Sequence, residues 1–157
     1  MVNVPEQVKQ SIPITPMGFA ESMFQLNGKA LRFTTGRNYL KAIHNADIEE
    51  MLLMTGRQVE KSTTESIKIA NNVLLRPFSR SLYVAPMNEQ TKTFSRGRLD
   101  KLFRYSQGDI IRKRYMSSDL VNQVFHKEFT NGAEIYLRNC FEEADNIRGL
   151  STDDIFI

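Results

Sequence analysis

The stretch MLLMTGRQVEKSTTES, residues 51–66, contains the features that decide the fold of this chain. The apolar run MLLM at 51–54 is short and is followed by Thr-Gly, a pattern that predicts a buried parallel strand. From Lys61 to about Leu75 the apolar residues recur at helical spacing, and Pro77 is expected to end that helix. A strand, a tight turn and a helix in this order are typical of a phosphate-binding loop.

The chemistry of such a loop depends on the start of its helix. Backbone N–H groups in the first turn have no intrahelical acceptor, and the helix dipole adds partial positive charge, so phosphate groups bind there. In the strict pattern G-x-x-x-x-G-K-[ST], the lysine reaches the β- and γ-phosphates and the following hydroxyl binds Mg²⁺. Lys61 and Ser62 occupy those two positions, but Thr55 and Glu60 stand where the glycines are expected. The pattern alone therefore leaves open both a nucleotide site and an ordinary strand–loop–helix.

The segments around this loop continue the alternation of strands and helices. A short helix is expected near 36–45, and the apolar run SLYVAP at 81–86 predicts a second buried strand that ends at a proline. Asn88 is a candidate cap for a helix that runs to about Tyr105, with Phe94, Leu99, Leu102 and Phe103 as its apolar face.

Two further strands and a loop are predicted in the last third of the chain. The candidates VNQVFHKEF (121–129) and AEIYLRN (133–139) flank Asn131-Gly132, which is a strong hairpin signal. DNIRGLSTDD, residues 145–154, reads as a loop, and a short apolar run follows it. This order of elements predicts a single α/β domain with a mostly parallel sheet.

The composition limits the class of protein. With 41% hydrophobic and 25% charged residues, the chain has the composition of an ordinary globular domain, and its net charge of +3 is compatible with a polyanionic partner. A single cysteine, Cys140, rules out an internal disulfide framework. The sequence shows neither a bilayer-spanning apolar run nor a signal peptide, so we expect a soluble, intracellular protein. His44 and His126 lack cysteine or histidine partners at ligand spacing, which argues against a zinc site.

Arg57 and Gln58 add a second pattern to the loop. GRQVEKSTT resembles the phosphate loop of viral large terminase subunits, the ATPase motors that package DNA into capsids. In that family an Arg-Gln pair, two residues, a lysine and a serine or threonine follow one another, and the first glycine is not needed. Three later segments resemble the family in the same order: SLYVAPMNEQTKTFSRGRLDKLF, NGAEIYLRN and ADNIRGLSTDDIFI. The resemblance covers residues from about 30 to 157.

The resemblance implies a P-loop NTPase-type three-layer α/β sandwich, incomplete at its C-terminal end, formed by residues 31–157. Residues 1–30, which hold three of the five prolines, would be an extended lead-in. The implied nucleotide-binding residues are Thr55, Gly56, Arg57, Gln58, Val59, Glu60, Lys61, Ser62 and Thr63. Among them, Lys61 and Arg57 would be catalytic, and the Ser62 hydroxyl would bind Mg²⁺.

The resemblance also implies the ligands and partners. ATP and Mg²⁺ would be the cofactors, and Phe33 or Tyr39 could stack on adenine, although Leu40 replaces the expected glutamine and both aromatic residues could instead be packing residues. The full-length protein would act on double-stranded DNA as a homo-oligomeric ring, with a small terminase subunit and a portal. Its location would be the cytoplasm of the infected host cell.

The Walker B strand of the family ends in an Asp-Glu pair, which binds Mg²⁺ and directs the attacking water. The apolar run at 155–157 is not followed by that pair, and Asp153 and Asp154 precede the run, where exposed loop carboxylates are expected. We therefore expect a truncated chain that retains a phosphate site and does not hydrolyse ATP efficiently by itself.

A basic cluster follows the second strand and could contact DNA or a neighbouring subunit, or could be a solvated helix face. Its members are Arg96, Arg98, Lys101, Arg104, Arg112, Lys113 and Arg114. Two alternative functions stay open at this point. The chain could belong to a helicase-type nucleic-acid ATPase, or it could be a non-catalytic nucleic-acid- or protein-binding module with a structural loop.

Overall fold

A computed structural model of the protein describes residues 15–34, 36–140 and 147–157. Its strands are β1 (Gln25–Leu26), β2 (Lys29–Ala30), β3 (Arg80–Ala85), β4 (His126–Glu128), β5 (Glu134–Asn139) and β6 (Asp154–Phe156). The first two strands form a small antiparallel hairpin, and the other four form one sheet in the spatial order β4-β5-β3-β6.

Six α-helices are found within the described ranges. They are α1 (Pro16–Met23), α2 (Tyr39–Asn45), α3 (Lys61–Leu75), α4 (Asn88–Phe94), α5 (Asp100–Arg104) and α6 (Ile110–Tyr115). A π-helical turn, Ser95–Leu99, joins α4 to α5, so that the three segments form one continuous helix. In this part of the chain, no helix has both the length and the apolar character that a membrane crossing requires.

Strand β3 lies inside the sheet, parallel to β5 on one side and to β6 on the other. Only β4 runs antiparallel, against β5. Successive side chains of a strand point to opposite faces, and in β3 both sets are covered: Leu82 and Val84 are buried, while Tyr83 packs against the main core on the other face. The prediction of an α/β fold with a mostly parallel sheet is confirmed.

Several local predictions match the structure closely. Helix α3 begins at Lys61 and ends at Leu75, and the second predicted strand corresponds to β3. The hairpin at Asn131-Gly132 forms between β4 and β5, with the positive φ of 79° that favours glycine at Gly132. The predicted strand at 121–129 is shorter than expected: β4 covers only His126–Glu128, and Asn122 forms an isolated antiparallel bridge to Lys127 within the same segment.

The prediction of a buried strand at 51–54 is wrong. This segment has no strand conformation, and Leu52 and Met54 are 83% and 85% exposed. A strand requires a neighbour that pairs with its backbone groups, and the segment has no such partner among the described residues. An apolar run is typical of a strand inside a sheet, but its composition does not show whether a neighbouring strand is present to pair with it.

The expectation of an extended lead-in over residues 1–30 is wrong for the described part of it, and residues 1–14 lie outside the described ranges. Thr15 caps α1 by accepting a hydrogen bond from the Gly18 N–H, and Pro16 occupies the first helical position, where its missing N–H costs nothing. Ala20 and Phe24 are 0% exposed, so this segment belongs to the hydrophobic core. Proline content was a misleading signal here, because proline also favours the first turn of a helix.

The helix after β3 starts where it was predicted, but its cap and its regularity differ from the expectation. Asn88 is its first residue, and Met87 is the cap, with its N–H donating to the Gln90 side chain at 3.3 Å. Its four predicted apolar residues are all buried. The π-helical turn and helix α6 were not predicted, because neither has a distinctive pattern of residues.

Of the acidic pair before the final apolar run, Asp153 is exposed outside the strands, as expected, whereas Asp154 is partly buried in a strand and differs from the expectation of an exposed loop carboxylate. Asp154 lies in β6 and pairs with Arg76 at 2.9 Å, while the Asp153 carboxylate accepts the backbone N–H of Arg80 at 2.7 Å. Both carboxylates therefore help to join the last strand to the end of α3 and the start of β3. Part of the predicted loop, residues 145–146, lies outside the described ranges.

Candidate phosphate-binding site

A cavity of about 190 Å³ opens at the start of α3. Its walls come from two separate parts of the chain, namely six consecutive loop and helix residues and one residue of the π-helical turn. The lining residues are Gln58, Val59, Glu60, Lys61, Ser62, Thr63 and Arg98. Six of the nine predicted nucleotide-binding residues therefore surround one cavity, whereas Thr55, Gly56 and Arg57 are exposed on the turn before it.

The backbone of the loop turns through two residues with left-handed conformation. Gln58 and Glu60 both have φ of 60°, a region that favours glycine. Glu60 is the N-cap of α3 and gives no side-chain cap, and the helical ladder begins with the Thr64 N–H donating to its carbonyl at 2.8 Å. Helix geometry leaves the amides before Thr64 without intrahelical acceptors, so they are available to an anion in the cavity.

Lys61 folds back over the loop that precedes it. Its Nζ donates to the carbonyl oxygen of Thr55 at 3.2 Å, so the ammonium group lies across the turn that carries Gly56 and Arg57. One turn further along α3, burial raises the pKa of the Glu65 carboxyl, and the positive charge of Lys61 opposes that shift. The lysine is exposed and makes a single neutral hydrogen bond, which an incoming phosphate could replace.

Glu60 is held by a residue from outside the loop. Its Oε1 lies 2.6 Å from the guanidinium of Arg37, and both side chains are 31% exposed. Its other oxygen is buried and has no hydrogen-bond partner among the described residues. Close by, the Tyr39 hydroxyl donates to the carbonyl of Val59 at 3.3 Å. Arg37, just before α2, and Tyr39, its first residue, therefore contact two adjacent loop positions.

The structure separates the two adenine candidates. Phe33 is 1% exposed and its ring centroid lies 4.7 Å from that of the buried His44, so it is a core residue and the prediction that it stacks on a base is wrong. Tyr39 is 46% exposed beside the loop, and its role as a base-stacking residue stays a prediction. Apolar character alone could not distinguish the two positions.

The predicted basic cluster divides into two groups. Arg98 lines the phosphate cavity, while Arg96, Lys101, Arg104, Arg112, Lys113 and Arg114 are exposed and do not line it. Asp100, which lies within the cluster, is paired with Lys127, a side chain only 1% exposed, at 2.7 Å. This acidic residue is therefore occupied by an internal partner and does not neutralise the neighbouring arginines.

His126 has carboxylate neighbours that the sequence spacing did not reveal. Across the β4–β5 hairpin, His126, Glu128 and Glu134 bring potential ligand atoms within 4.8 Å of one another. Burial raises the pKa of Glu134, but hydrogen bonds from Tyr136 and His126 outweigh it, and the pKa lies below its ordinary value. Arg80 also contacts Glu134, so these groups form a connected polar network across the neighbouring strands β4, β5 and β3.

Comparisons with known proteins agree with this architecture. The family described as "Phage terminase large subunit gpA, ATPase domain" matches residues 35–152. Among solved structures, the large terminase ATPase domain of Thermus phage P74-26 is similar, with a TM-score of 0.59 and 18% sequence identity. The match covers 80% of this chain and 57% of that chain, so this chain spans somewhat more than half of its length. A search of curated proteins finds no match.

Proposed function

The chain belongs to the family of phage terminase large subunit ATPase domains, and we propose that the cavity at the start of α3 binds the phosphates of ATP together with Mg²⁺. The observation that supports this most directly is the position of Lys61. It begins a 15-residue helix, lines the cavity and holds its ammonium group over the preceding turn through one bond to Thr55. A lysine in this position can exchange a carbonyl oxygen for a phosphate oxygen without moving the backbone.

Each remaining role is assigned to a residue of the loop. The first amides of α3 would bind phosphate oxygens, and Ser62, the second residue of the helix, would direct its hydroxyl to Mg²⁺. The residues fit this ion, because Ser62 is an exposed residue of the cavity lining and offers a hydroxyl oxygen, which is a suitable ligand for Mg²⁺. Bound Mg²⁺ would neutralise charge that develops on the phosphates. Arg57, exposed on the turn, would stabilise the transition state in the complete motor.

For the whole protein, we propose a motor that couples ATP hydrolysis to translocation of double-stranded DNA. The family indicates this function, and the exposed basic residues of α5 and α6 could contact the DNA backbone or a neighbouring subunit. A homo-oligomeric ring, a small terminase subunit, a portal and a location in the host cytoplasm belong to the same proposal. The family match favours this motor over a helicase-type ATPase.

A calorimetric titration of the purified chain with MgATP tests the nucleotide site. The wild-type chain should bind, and Lys61→Ala should weaken binding by about tenfold or more, because a charged hydrogen bond to phosphate is lost. Lys29→Ala is the matched control, since Lys29 is an exposed lysine of β2 that does not line the cavity. Circular dichroism checks that every variant is folded. A folded wild-type chain that binds no nucleotide at millimolar concentration would overturn the proposal and favour a non-catalytic binding module.

A further inference from the structure

We propose that Arg98 is a second phosphate-binding cation of this site, supplied by the helix after β3 and not by the loop. This inference rests on the proposed nucleotide function, which it deepens by naming a further residue that binds the phosphates. Arg98 is the one residue lining the cavity, within the described chain, that does not belong to positions 58–63. Its contribution depends on an irregularity in the helix that carries it.

The π-helical turn changes which residue faces the core. In a regular α-helix, the residue four positions after the buried Phe94 would lie on the same face, and that residue is Arg98. In the observed turn, the Asp100 N–H donates to the carbonyl of Ser95, five residues earlier. Leu99 thereby takes the buried position at 0% exposed, and Arg98 moves to the side, where it lines the cavity.

Arg98 has no competing partner among the described residues. Its side chain makes no hydrogen bond or ion pair there, and the nearest acidic residue in the sequence, Asp100, is paired with Lys127 at 2.7 Å. An exposed and unpaired arginine at the wall of a cavity is available to a ligand with complementary charge. The planar guanidinium group presents paired N–H donors that match two phosphate oxygens.

The charges of the other lining residues make this second cation useful. Glu60 introduces a carboxylate where other phosphate loops have glycine, and Arg37 offsets it through an ion pair of 2.6 Å. Arg37 is thereby occupied, and Lys61 is the only other cation among the lining residues. A triphosphate carries several negative charges, so Lys61 and Arg98, which both line the cavity, would share them.

The test compares Arg98→Ala, Arg98→Lys and Lys92→Ala in calorimetric titrations with MgATP and with magnesium pyrophosphate. Arg98→Ala should weaken the binding of both ligands about tenfold or more, since the lost contact is to phosphate and not to the base. Arg98→Lys keeps the charge and should recover part of the loss. Lys92→Ala is the control, because it removes a cation of the same helix that pairs with Glu89 and does not line the cavity.

The thermal midpoint of each variant without ligand distinguishes ligand contact from a structural role. Arg98 is exposed and unpaired in the described chain, so Arg98→Ala should keep the wild-type midpoint. Equal affinities of Arg98→Ala and Lys92→Ala would overturn this inference and leave the nucleotide function standing. A fall in affinity accompanied by a matching fall in the midpoint would also overturn it. If the wild-type chain binds neither ligand, both the inference and the proposed function fail.

Discussion

The guanidinium of Arg37 lies 2.6 Å from the carboxylate of Glu60, the residue that replaces the glycine before the loop lysine. Glu60 therefore has a structural partner in spite of its unfavourable backbone, in which φ is 60°. The pair joins the approach to α2 with the start of α3, and Tyr39 adds a hydrogen bond to the neighbouring Val59 carbonyl. The loop of this chain is thus held from outside by the residues that precede it.

Replacement of Glu60 by glycine should tighten nucleotide binding, by up to about tenfold, because a negative charge at the cavity wall is removed. The effect is limited because Arg37 already offsets that charge. Stability should change little, since relief of left-handed strain, roughly 1 kcal/mol, balances loss of a half-exposed ion pair worth up to about 1 kcal/mol. MgATP titration and urea unfolding measure the two effects.

Gln58→Gly is the matched control for that experiment. Gln58 has the same φ of 60° and lines the same cavity, but it carries no charge. If Glu60→Gly acts through charge, only that variant should tighten binding. Equal gains for both variants would show that backbone strain is responsible, and weaker binding by Glu60→Gly would show that the ion pair orders the loop for the ligand.

Arg37→Ala should have the opposite effect on affinity. The carboxylate of Glu60 would stay at the cavity wall without its cation, with one oxygen already buried and unpartnered in the described chain, so MgATP should bind several-fold more weakly. The double variant Arg37→Ala/Glu60→Gly should recover the affinity of Glu60→Gly alone. A double-mutant cycle of titrations measures this coupling.

The control for the cycle is Lys41→Ala, which removes an exposed cation of α2 that has no place in the cavity. It should leave MgATP affinity unchanged. Additive effects of the Arg37 and Glu60 substitutions would contradict the idea that the ion pair protects the site from the charge of Glu60.

Local patterns explain which parts of the fold were predictable. The limits of α3 follow from apolar spacing and a nearby proline, and the hairpin follows from Asn131-Gly132, because these signals are contained within a few residues. The prediction of a strand at 51–54 failed because the burial of a strand depends on a pairing strand elsewhere in the sheet. The prediction for residues 16–30 failed because proline is common both in extended segments and in the first turn of a helix, so proline content alone does not distinguish them.

The consecutive residues of the candidate site could be predicted from the sequence, but the residues that reach it from distant parts of the chain could not. The positions from Gln58 to Thr63 follow from motif spacing, and they do surround one cavity. Arg37 reaches Glu60 over 23 residues of sequence, and Arg98 reaches the cavity through a π-helical turn. Neither contact has a periodic signature, because both depend on tertiary packing. The same reasoning applies to Phe33, whose burial depends on the elements that surround it.

Phe33 and Tyr39 should respond differently to substitution by alanine. Phe33→Ala removes a fully buried ring and should lower the free energy of unfolding by about 3–5 kcal/mol. Tyr39→Ala should lower it far less, because its side chain is 46% exposed. If Tyr39 stacks on adenine, Tyr39→Ala should weaken MgATP binding several-fold and leave pyrophosphate binding unchanged. Urea unfolding and paired titrations measure these outcomes.

Tyr105→Ala provides the control, since Tyr105 is a 54% exposed tyrosine that does not line the cavity. Equal loss of ATP and pyrophosphate affinity in Tyr39→Ala would indicate that the tyrosine acts through its bond to the Val59 carbonyl and not through the base. A stable Phe33→Ala chain with selectively reduced ATP affinity would restore the original prediction for Phe33.

His44 should make the chain sensitive to mild acid. Its ring is 2% exposed, and both ring nitrogens lack hydrogen-bond partners among the described residues. Burial, assisted by the charge of Lys68, lowers the pKa of His44 from 6.5 to about 4. In the unfolded chain His44 is protonated near its ordinary pKa, whereas in the folded chain it is protonated only at a lower pH. The stability associated with neutral His44 is therefore complete above the ordinary pKa and is lost as the pH falls towards the folded value.

Within that window, His44 should contribute a loss of up to about 1.4 kcal/mol per pH unit. Urea unfolding of the wild type and of His44→Leu, measured from neutral pH to about pH 4, isolates this contribution, because all other titrating groups are common to both chains. The stability of His44→Leu relative to the wild type should rise steadily as the pH falls through the window. Parallel stability curves would show that His44 is protonated equally in the folded and unfolded chains, and that its burial carries no electrostatic cost.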